Sequence, residues 1–341
     1  MHAAINQALS FIFDGRDIPR PDTEAAFAAL MDGECSDVDI SALLMALRVK
    51  GEAVDEIAGA AQAMRQRATR IPCQTRGLLD TCGTGGDQLH TFNISTATAI
   101  VAASAGDPVA KHGNRSVSSS SGSADVLEAM DLNLQLTPEQ VGQCIDEIGI
   151  GFCFAPLLHS AMKHVVPVRK ALATRTIFNL LGPLTNPAGA EFQLLGANRT
   201  EFARKLATAL AELGCERALV VCGNDELDEV SLWGETAVFD VRSGSVQESR
   251  WTAADFDLPE CSVEELQVSS AAESADAIQS VFDGAAGAPR NIVVANTAAA
   301  LVAAGRANDP SAAVGLATEA IDSGQTCETL ERLKAAAARF A

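Results

Sequence analysis

A glycine-rich turn set between an apolar strand and a helix start limits what this chain can fold into more than any other stretch. Gly77-Leu78-Leu79-Asp80-Thr81 reads as a short strand running into Cys82-Gly83-Thr84-Gly85-Gly86-Asp87. Asn93-Ile94-Ser95-Thr96 then caps a helix through Ala97, Ile100, Val101 and Ala103. Strand, glycine turn and helix N-terminus together aim backbone N–H groups at one point, a geometry suited to phosphate. The glycine turn alone is a weak signal, and the hydroxyls of Ser95 and Thr96 at the cap strengthen it.

Upstream, residues 1 to about 70 carry helical periodicity and no strand alternation. Asp22 can cap a helix from Thr23 towards Gly33. Ser36 with Asp39 starts another through Ile40, Leu43, Leu44 and Leu47, ending near Gly51, and a third runs from Val54 to Met64. Downstream, Thr137-Pro138-Glu139-Gln140 combines a cap residue, a proline at the first helical position and a glutamine at the third. Phe152-Cys153-Phe154, Ala218-Leu219-Val220-Val221-Cys222 and Asn291-Ile292-Val293-Val294-Ala295 read as strands, the last followed by alanine-rich helix to Ala304. His159 to Leu172 reads as a basic helix, Glu201 to Leu213 as another, and Asp240 to about Ala275 as strands and loops at a sheet edge. The expected fold is α/β: a small all-helical N-terminal domain over residues 1–72 and a larger α/β domain over 73–341 with a mainly parallel central sheet.

At 341 residues the chain is long enough for two domains. Its 44 acidic against 25 basic residues, net −19, argue against nucleic acid or an anionic membrane as partner. A basic pocket in such a chain would be meant for a small anion. Nine cysteines without a C-x-x-C pair, and five histidines not at ligand spacing from them, read as reduced thiols and not zinc. The N-terminus lacks a signal-peptide core and no apolar run is long enough to span a bilayer, so the expectation is a soluble cytoplasmic protein.

Four constellations carry chemistry. Lys111-His112-Gly113-Asn114-Arg115, continuing through a serine run to Ser123, is a polar loop between apolar segments. Gly223 to Glu229 sets four carboxylates after a strand. That is either an exposed acidic loop or a site for a hard cation such as Mg²⁺ shared with a phosphate. Arg169 and Arg175, with Lys163 and Lys170, are either surface charges or a fork for a substrate carboxylate. Leu181-Gly182-Pro183-Leu184-Thr185-Asn186-Pro187 is a rigid turn, a pocket wall or a tight connection. No nucleophile elbow, Walker lysine loop or base-paired cysteine is present, so the set describes catalysis by positioning and electrostatics.

These residues resemble the anthranilate phosphoribosyltransferase family of tryptophan biosynthesis over nearly the whole chain. The resemblance is carried by Cys82 to Asp87, Asn93 to Thr96, Lys111 to Arg115, Gly122 to Asp125, Arg175 to Pro187 and Leu227-Asp228-Glu229. It implies a fold like that of the nucleoside phosphorylases and class III phosphoribosyltransferases, with helices from about 170–190 joining the helical domain. It further implies a homodimer formed through the helical domains and association with anthranilate synthase as a partner. It places phosphoribosyl pyrophosphate at the hinge with about two Mg²⁺ ions. Position by position, Gly83, Thr84, Gly85, Gly86, Asp87, Thr91, Asn93, Ser95, Thr96, Lys111 and Ser123 would hold the donor. Ser95, Asp228 and Glu229 would bind the metal, and Gly83, His112, Asn114, Arg169 and Pro183 would hold anthranilate.

The chain also departs from the family pattern. Ser120 stands where a lysine is common, Gln88 where a glycine is expected after Asp87, and Cys222 and Glu226 where a histidine and a glycine are common. Ser120 and Glu226 make the donor site less positive. The alternatives are a sister phosphoribosyltransferase or nucleoside phosphorylase with another acceptor, or a non-enzymatic nucleic-acid-binding homologue, which the net charge opposes.

Overall fold

Four helices build the N-terminal part of the molecule: α1 (Ala3–Phe13), α2 (Arg20–Met31), α3 (Asp37–Lys50) and α4 (Val54–Arg67). The computed structural model describes residues 1–116 and 121–340. Ser36 and Asp39 close a reciprocal capping box at the start of α3, as their spacing predicts, with bonds of 3.1 and 3.2 Å. Helix α2 starts earlier than expected, with Pro21 in its first turn. Asp22 therefore lies inside that turn, where its charge meets the helix dipole, and does not cap it.

The larger part runs β1 (Leu79–Gly83), α5 (Ile94–Ser104), β2 (Val109–Gly113), α6 (Ser123–Ala129), α7 (Pro138–Ile148), β3 (Ile150–Phe154), α8 (Ala155–Leu158), α9 (Val166–Leu172) and α10 (Phe178–Leu181). It continues through β4 (Phe192–Gly196), α11 (Thr200–Glu212), β5 (Arg217–Gly223), β6 (Thr236–Arg242), β7 (Ser245–Trp251), α12 (Ala271–Phe282), α13 (Ala288–Ala303), α14 (Pro310–Asp322) and α15 (Gln325–Ala338). Among the described residues seven strands form one sheet, in the order β3-β2-β1-β4-β5-β6-β7. The first five are parallel, and β6 and β7 return antiparallel at one edge.

Period-two alternation sorts the strand side chains between two cores. Leu194, Leu219, Val221 and Val238 join α5, α13, α14 and α15 on one face. Leu195, Val220, Cys222 and Phe239 face α11 on the other, where the apolar layer continues into the N-terminal helices through Leu30, Leu44 and Leu47. Val168, Ile177, Phe178, Leu181 and Leu184 belong to that second core, so the segment containing α9 and α10 packs with the helical domain.

Two further expectations are corrected. Residues 291–295 are not a strand but lie in α13, which is buried from Ile292 to Ala303 on every face. An apolar run buried all round has the same pattern in a helix as in a two-sided strand, and its length decides for the helix. The basic helix from His159 to Leu172 is broken into a 3₁₀ turn (Ser160–His164) and α9, whose first turn holds Pro167, a residue with no N–H to continue the preceding helix.

Candidate active site

The glycine turn after β1 is shaped around one carboxylate. Asp228 Oδ2 accepts a 2.6 Å hydrogen bond from the Gly85 N–H. A Cβ on Gly83 would stand 2.2 Å from the same oxygen, and a Cβ on Gly196 would stand 1.5 Å from the Asp228 carbonyl oxygen. Both glycines are therefore needed to let the acidic segment lie across the ends of β1 and β4. Glu229 Oε1 accepts from the Ser95 N–H at 3.1 Å, which ties the acidic segment to the start of α5. Thr84 N donates to Gly196 O at 2.9 Å, and the Leu89 N–H donates to Asp87 at 3.2 Å.

Asp87, Asp228 and Glu229 thus share one pocket. Desolvation, with the Asp87 charge beside it, pushes Asp228 up to about 7, and desolvation with the Asp228 charge pushes Glu229 well above the carboxylate range. Crowded carboxylates with a serine hydroxyl nearby are hard oxygen donors, the set a magnesium ion takes. Among the described residues no three His, Cys, Asp or Glu side chains form a ready-made cage, so such an ion would need further oxygens from a ligand.

Asn93 ties the loop after β2 to the rest of the pocket. Its Oδ1 accepts from Ser121 Oγ at 2.7 Å and from Ser274 Oγ at 2.8 Å, and its Nδ2 donates to Ser121 O. Lys111 is buried in β2, its ammonium donating to Thr81 O and to His112 O. Ser123 Oγ accepts from the Asn114 N–H at 3.2 Å, which places Ser123 and Asn114 side by side at the pocket mouth. The Thr96 hydroxyl is buried beneath without a partner among the described residues, and Thr91 bridges Gln267 at the rim.

His112 occupies a dry recess behind this loop. Its backbone N–H donates to the buried Asp80 carboxylate at 3.0 Å, and its Nε2 lies 3.2 Å from Nε2 of His159. Its other ring nitrogen bonds the Gly182 carbonyl, and Gln193 Nε2 donates to the Pro183 carbonyl at 2.5 Å. The turn at Pro183 is therefore a wall of the His112 recess. Arg169 stacks on Phe178, 5.3 Å from the ring centroid, and makes no ion pair among the described residues. It is joined to the other anthranilate candidates through the Phe178–Pro183 segment and not by direct hydrogen bonds.

Other residues turn out to be structural. Arg115 is held by Glu128 at 2.6 Å and Asp125 at 3.1 Å, so its guanidinium serves the loop. Cys222 faces the α11 core, and burial pushes its thiol up to about 11. Glu226 accepts from Trp233 Nε1 at 3.2 Å and Asn224 Nδ2 at 2.8 Å, a brace for the acidic loop that leaves its charge already engaged. Gln88 adopts φ 62°, a left-handed conformation that explains why glycine is expected there. Ser120 lies outside the described residues. Asn296 of α13 went unnoticed in the sequence. Its side chain accepts from Val230 N at 2.8 Å and donates to Val230 O at 3.0 Å, gripping the chain just past Glu229, and a lone amide in an alanine-rich helix was its available signal.

The glycosyl transferase family, a/b domain, matches residues 75–327, and the helical bundle domain of the same family matches residues 6–68. Anthranilate phosphoribosyltransferase of Chromobacterium violaceum is 49% identical over 327 residues, covering 96% of each chain. The chain belongs to the anthranilate phosphoribosyltransferase family. The anthranilate phosphoribosyltransferase of Symbiobacterium thermophilum is also 49% identical, covering 95% of each chain. The crystal structure of the anthranilate phosphoribosyltransferase from Thermus thermophilus superposes with a TM-score of 0.92 at 41% identity, covering 99% of this chain and 100% of that one. The Saccharomyces cerevisiae anthranilate phosphoribosyltransferase in complex with phosphoribosyl pyrophosphate and Mg superposes with a TM-score of 0.91 at 25% identity, covering 99% of both chains.

Proposed function

We propose that this protein transfers the phosphoribosyl group of phosphoribosyl pyrophosphate to the amine of anthranilate, forming N-(5-phosphoribosyl)anthranilate and pyrophosphate in tryptophan biosynthesis. The observation that carries the reading is the interlock of Gly83, Gly85 and Asp228 beside Ser95 and Glu229, a phosphate-type turn facing carboxylates that need a cation. Ser95, Asp228 and Glu229 would hold about two Mg²⁺ ions, which supply charge stabilisation for the departing pyrophosphate. The glycine turn and the start of α5, with Lys111 and the Asn93–Ser121–Ser123 side of the pocket, would frame and orient the donor.

The arylamine is unprotonated at neutral pH, so it attacks the anomeric carbon without a strong base as the bond to the pyrophosphate oxygen breaks. Arg169, a guanidinium without an ion-pair partner among the described residues, fits the anthranilate carboxylate, with Asn114, His112 and Pro183 framing the ring. Exposed Phe13 on α1 and Val38 and Val49 on α3 support a homodimer through the helical domain, which we place at residues 1–72 with 73–341 as the catalytic domain. We place the protein in the cytoplasm, where anthranilate synthase is its expected associate.

The test is anthranilate fluorescence. Purified protein with phosphoribosyl pyrophosphate should quench it with Mg²⁺ and not with EDTA. Arg169→Ala should raise the anthranilate KM by about tenfold to a hundredfold, the worth of a charge-assisted pair. Persistent anthranilate fluorescence with Mg²⁺ present would reject the acceptor.

A further inference from the structure

Three arginines converge on a cleft at the outer face of the glycine turn, and among the described residues none is within ion-pair distance of a carboxylate. Arg48 comes from α3 of the helical domain, Arg175 from the link before α10, and Arg199 from the residue preceding α11. Among the described residues no ion pair forms to any of the three. Arg175 makes two long bonds of 3.4 Å, to the carbonyls of Gly85 and Gly86, and Arg199 donates to the carbonyls of Asn198 and Asp225. Asp87, at the edge of the cleft, has its carboxylate taken by the Leu89 N–H and lies beside Asp228.

The two faces of the turn differ in sign. Towards the candidate active site Gly85 presents its N–H, which Asp228 takes. Towards the cleft the turn presents the Gly85 and Gly86 carbonyls, to which Arg175 and Asn198 donate, the latter at 2.8 Å. Gly86 is approached so closely that an added Cβ would stand 3.1 Å from Arg175 Nη1. Burial holds the Arg175 guanidinium below its ordinary range, and the Arg48 and Arg199 charges push the same way, against an opposing pull from the Asp228 and Glu52 charges. Three guanidiniums brought together without an ion-pair partner among the described residues leave a place for an anion between them.

We propose that this cleft binds free inorganic pyrophosphate, through Arg48, Arg175 and Arg199, separately from the donor pocket on the opposite face of the turn. The choice of pyrophosphate rests on the reading above, which makes that anion the reaction's product. Guanidinium forks match its oxygens. Because Arg48 belongs to the helical domain and Arg199 stands at the start of α11 in the larger domain, the bound anion also ties the two together.

The probe is inorganic pyrophosphate titrated calorimetrically into the protein in EDTA, so that no metal bridges it to the carboxylates of the donor pocket. The wild type should bind it, Arg48→Ala and Arg199→Ala should each weaken binding by about tenfold or more, and Arg48→Lys, which keeps the charge but not the fork, should weaken it less than Arg48→Ala. The donor KM should stay within about twofold in all three. Absence of wild-type binding, unchanged affinity in both alanine variants, or a donor KM rising in parallel would overturn the proposal, the last because the arginines would then serve the donor's own pyrophosphate. Arginine-dependent binding in a protein that leaves anthranilate untouched would uphold the cleft and sink the reaction, and turnover without such binding would do the reverse.

Discussion

Acid should weaken this protein through the His112–His159 pair, and replacing His159 with Asn should remove a measurable share of that weakness. His112 gives one ring nitrogen to the Gly182 carbonyl, so the Nε2 that faces His159 at 3.2 Å is its acceptor, and His159 supplies the proton. Protonating His112 would set two N–H groups against each other in a recess closed to water. Burial holds His159 down to about 4 against an ordinary 6.5, and burial with the His159 charge holds His112 down to about 3. The folded state therefore refuses protons that the unfolded chain accepts, and stability falls as pH drops below 6.5 and continues to fall towards the folded values. For His159 alone the shift from 6.5 to about 4 corresponds to a loss of about 3 kcal/mol at roughly 1.4 kcal/mol per unit. That is a large part of the ~5–15 kcal/mol that holds a typical domain together. The assay is denaturant unfolding at pH 7 and pH 4.5. The wild type should lose about 2.5 kcal/mol more than His159→Asn between the two. With five histidines in the chain, imaging the imidazole nitrogens by NMR over the same range should show two rings that stay neutral. Parallel losses in the two proteins, or a His159 ring titrating near 6.5, would refute the argument.

Gly196→Ala and Gly83→Ala should fail differently, because the first would drive a Cβ into the Asp228 backbone at 1.5 Å and the second into its carboxylate at 2.2 Å. The backbone has no rotamer to yield, so Gly196→Ala should cost about 1–3 kcal/mol or more by thermal unfolding, whereas Gly83→Ala should mainly raise the Mg²⁺ concentration needed for turnover. Asn296→Leu leaves the Val230 N–H and carbonyl without their buried partners and should cost about 2–4 kcal/mol, read as a shifted urea midpoint. Gln88→Gly relieves a side chain held at φ 62° and should stabilise by about 1 kcal/mol, visible as a raised Tm.

What could be read from the chain in advance was whatever is local. The capping box at Ser36 and Asp39, the cap and proline at Thr137 and Pro138, and the glycine turn each announce themselves within a few residues, because the groups that satisfy them are neighbours. The sharing of one pocket by Gly85 and Asp228, 143 residues apart, has no such trace in spacing. It was legible only because each partner belongs to a recognisable motif. Residues that position others carry no motif, and these were missed: Asp80 beneath His112, Gln193 at Pro183, and Asn296 behind the acidic loop.

The strand expected at 291–295 and the overlooked Asn296 share one cause. A helix buried on every side needs apolar residues at every position, and this erases the 3.6-residue rhythm that would have identified it. A polar residue in such a run then reads as the end of a strand. In the folded chain the same residue can be kept only because its amide is fully used, by Val230 on both its N–H and its carbonyl and by the Ile292 carbonyl at 2.9 Å. An amide so completely bonded, gripping the residue that follows Glu229, transmits the position of a central helix to the carboxylates. The placement of the acidic pair is thus set from behind by α13 and from the front by Gly85 and Ser95, and a change at either side should move the same two side chains.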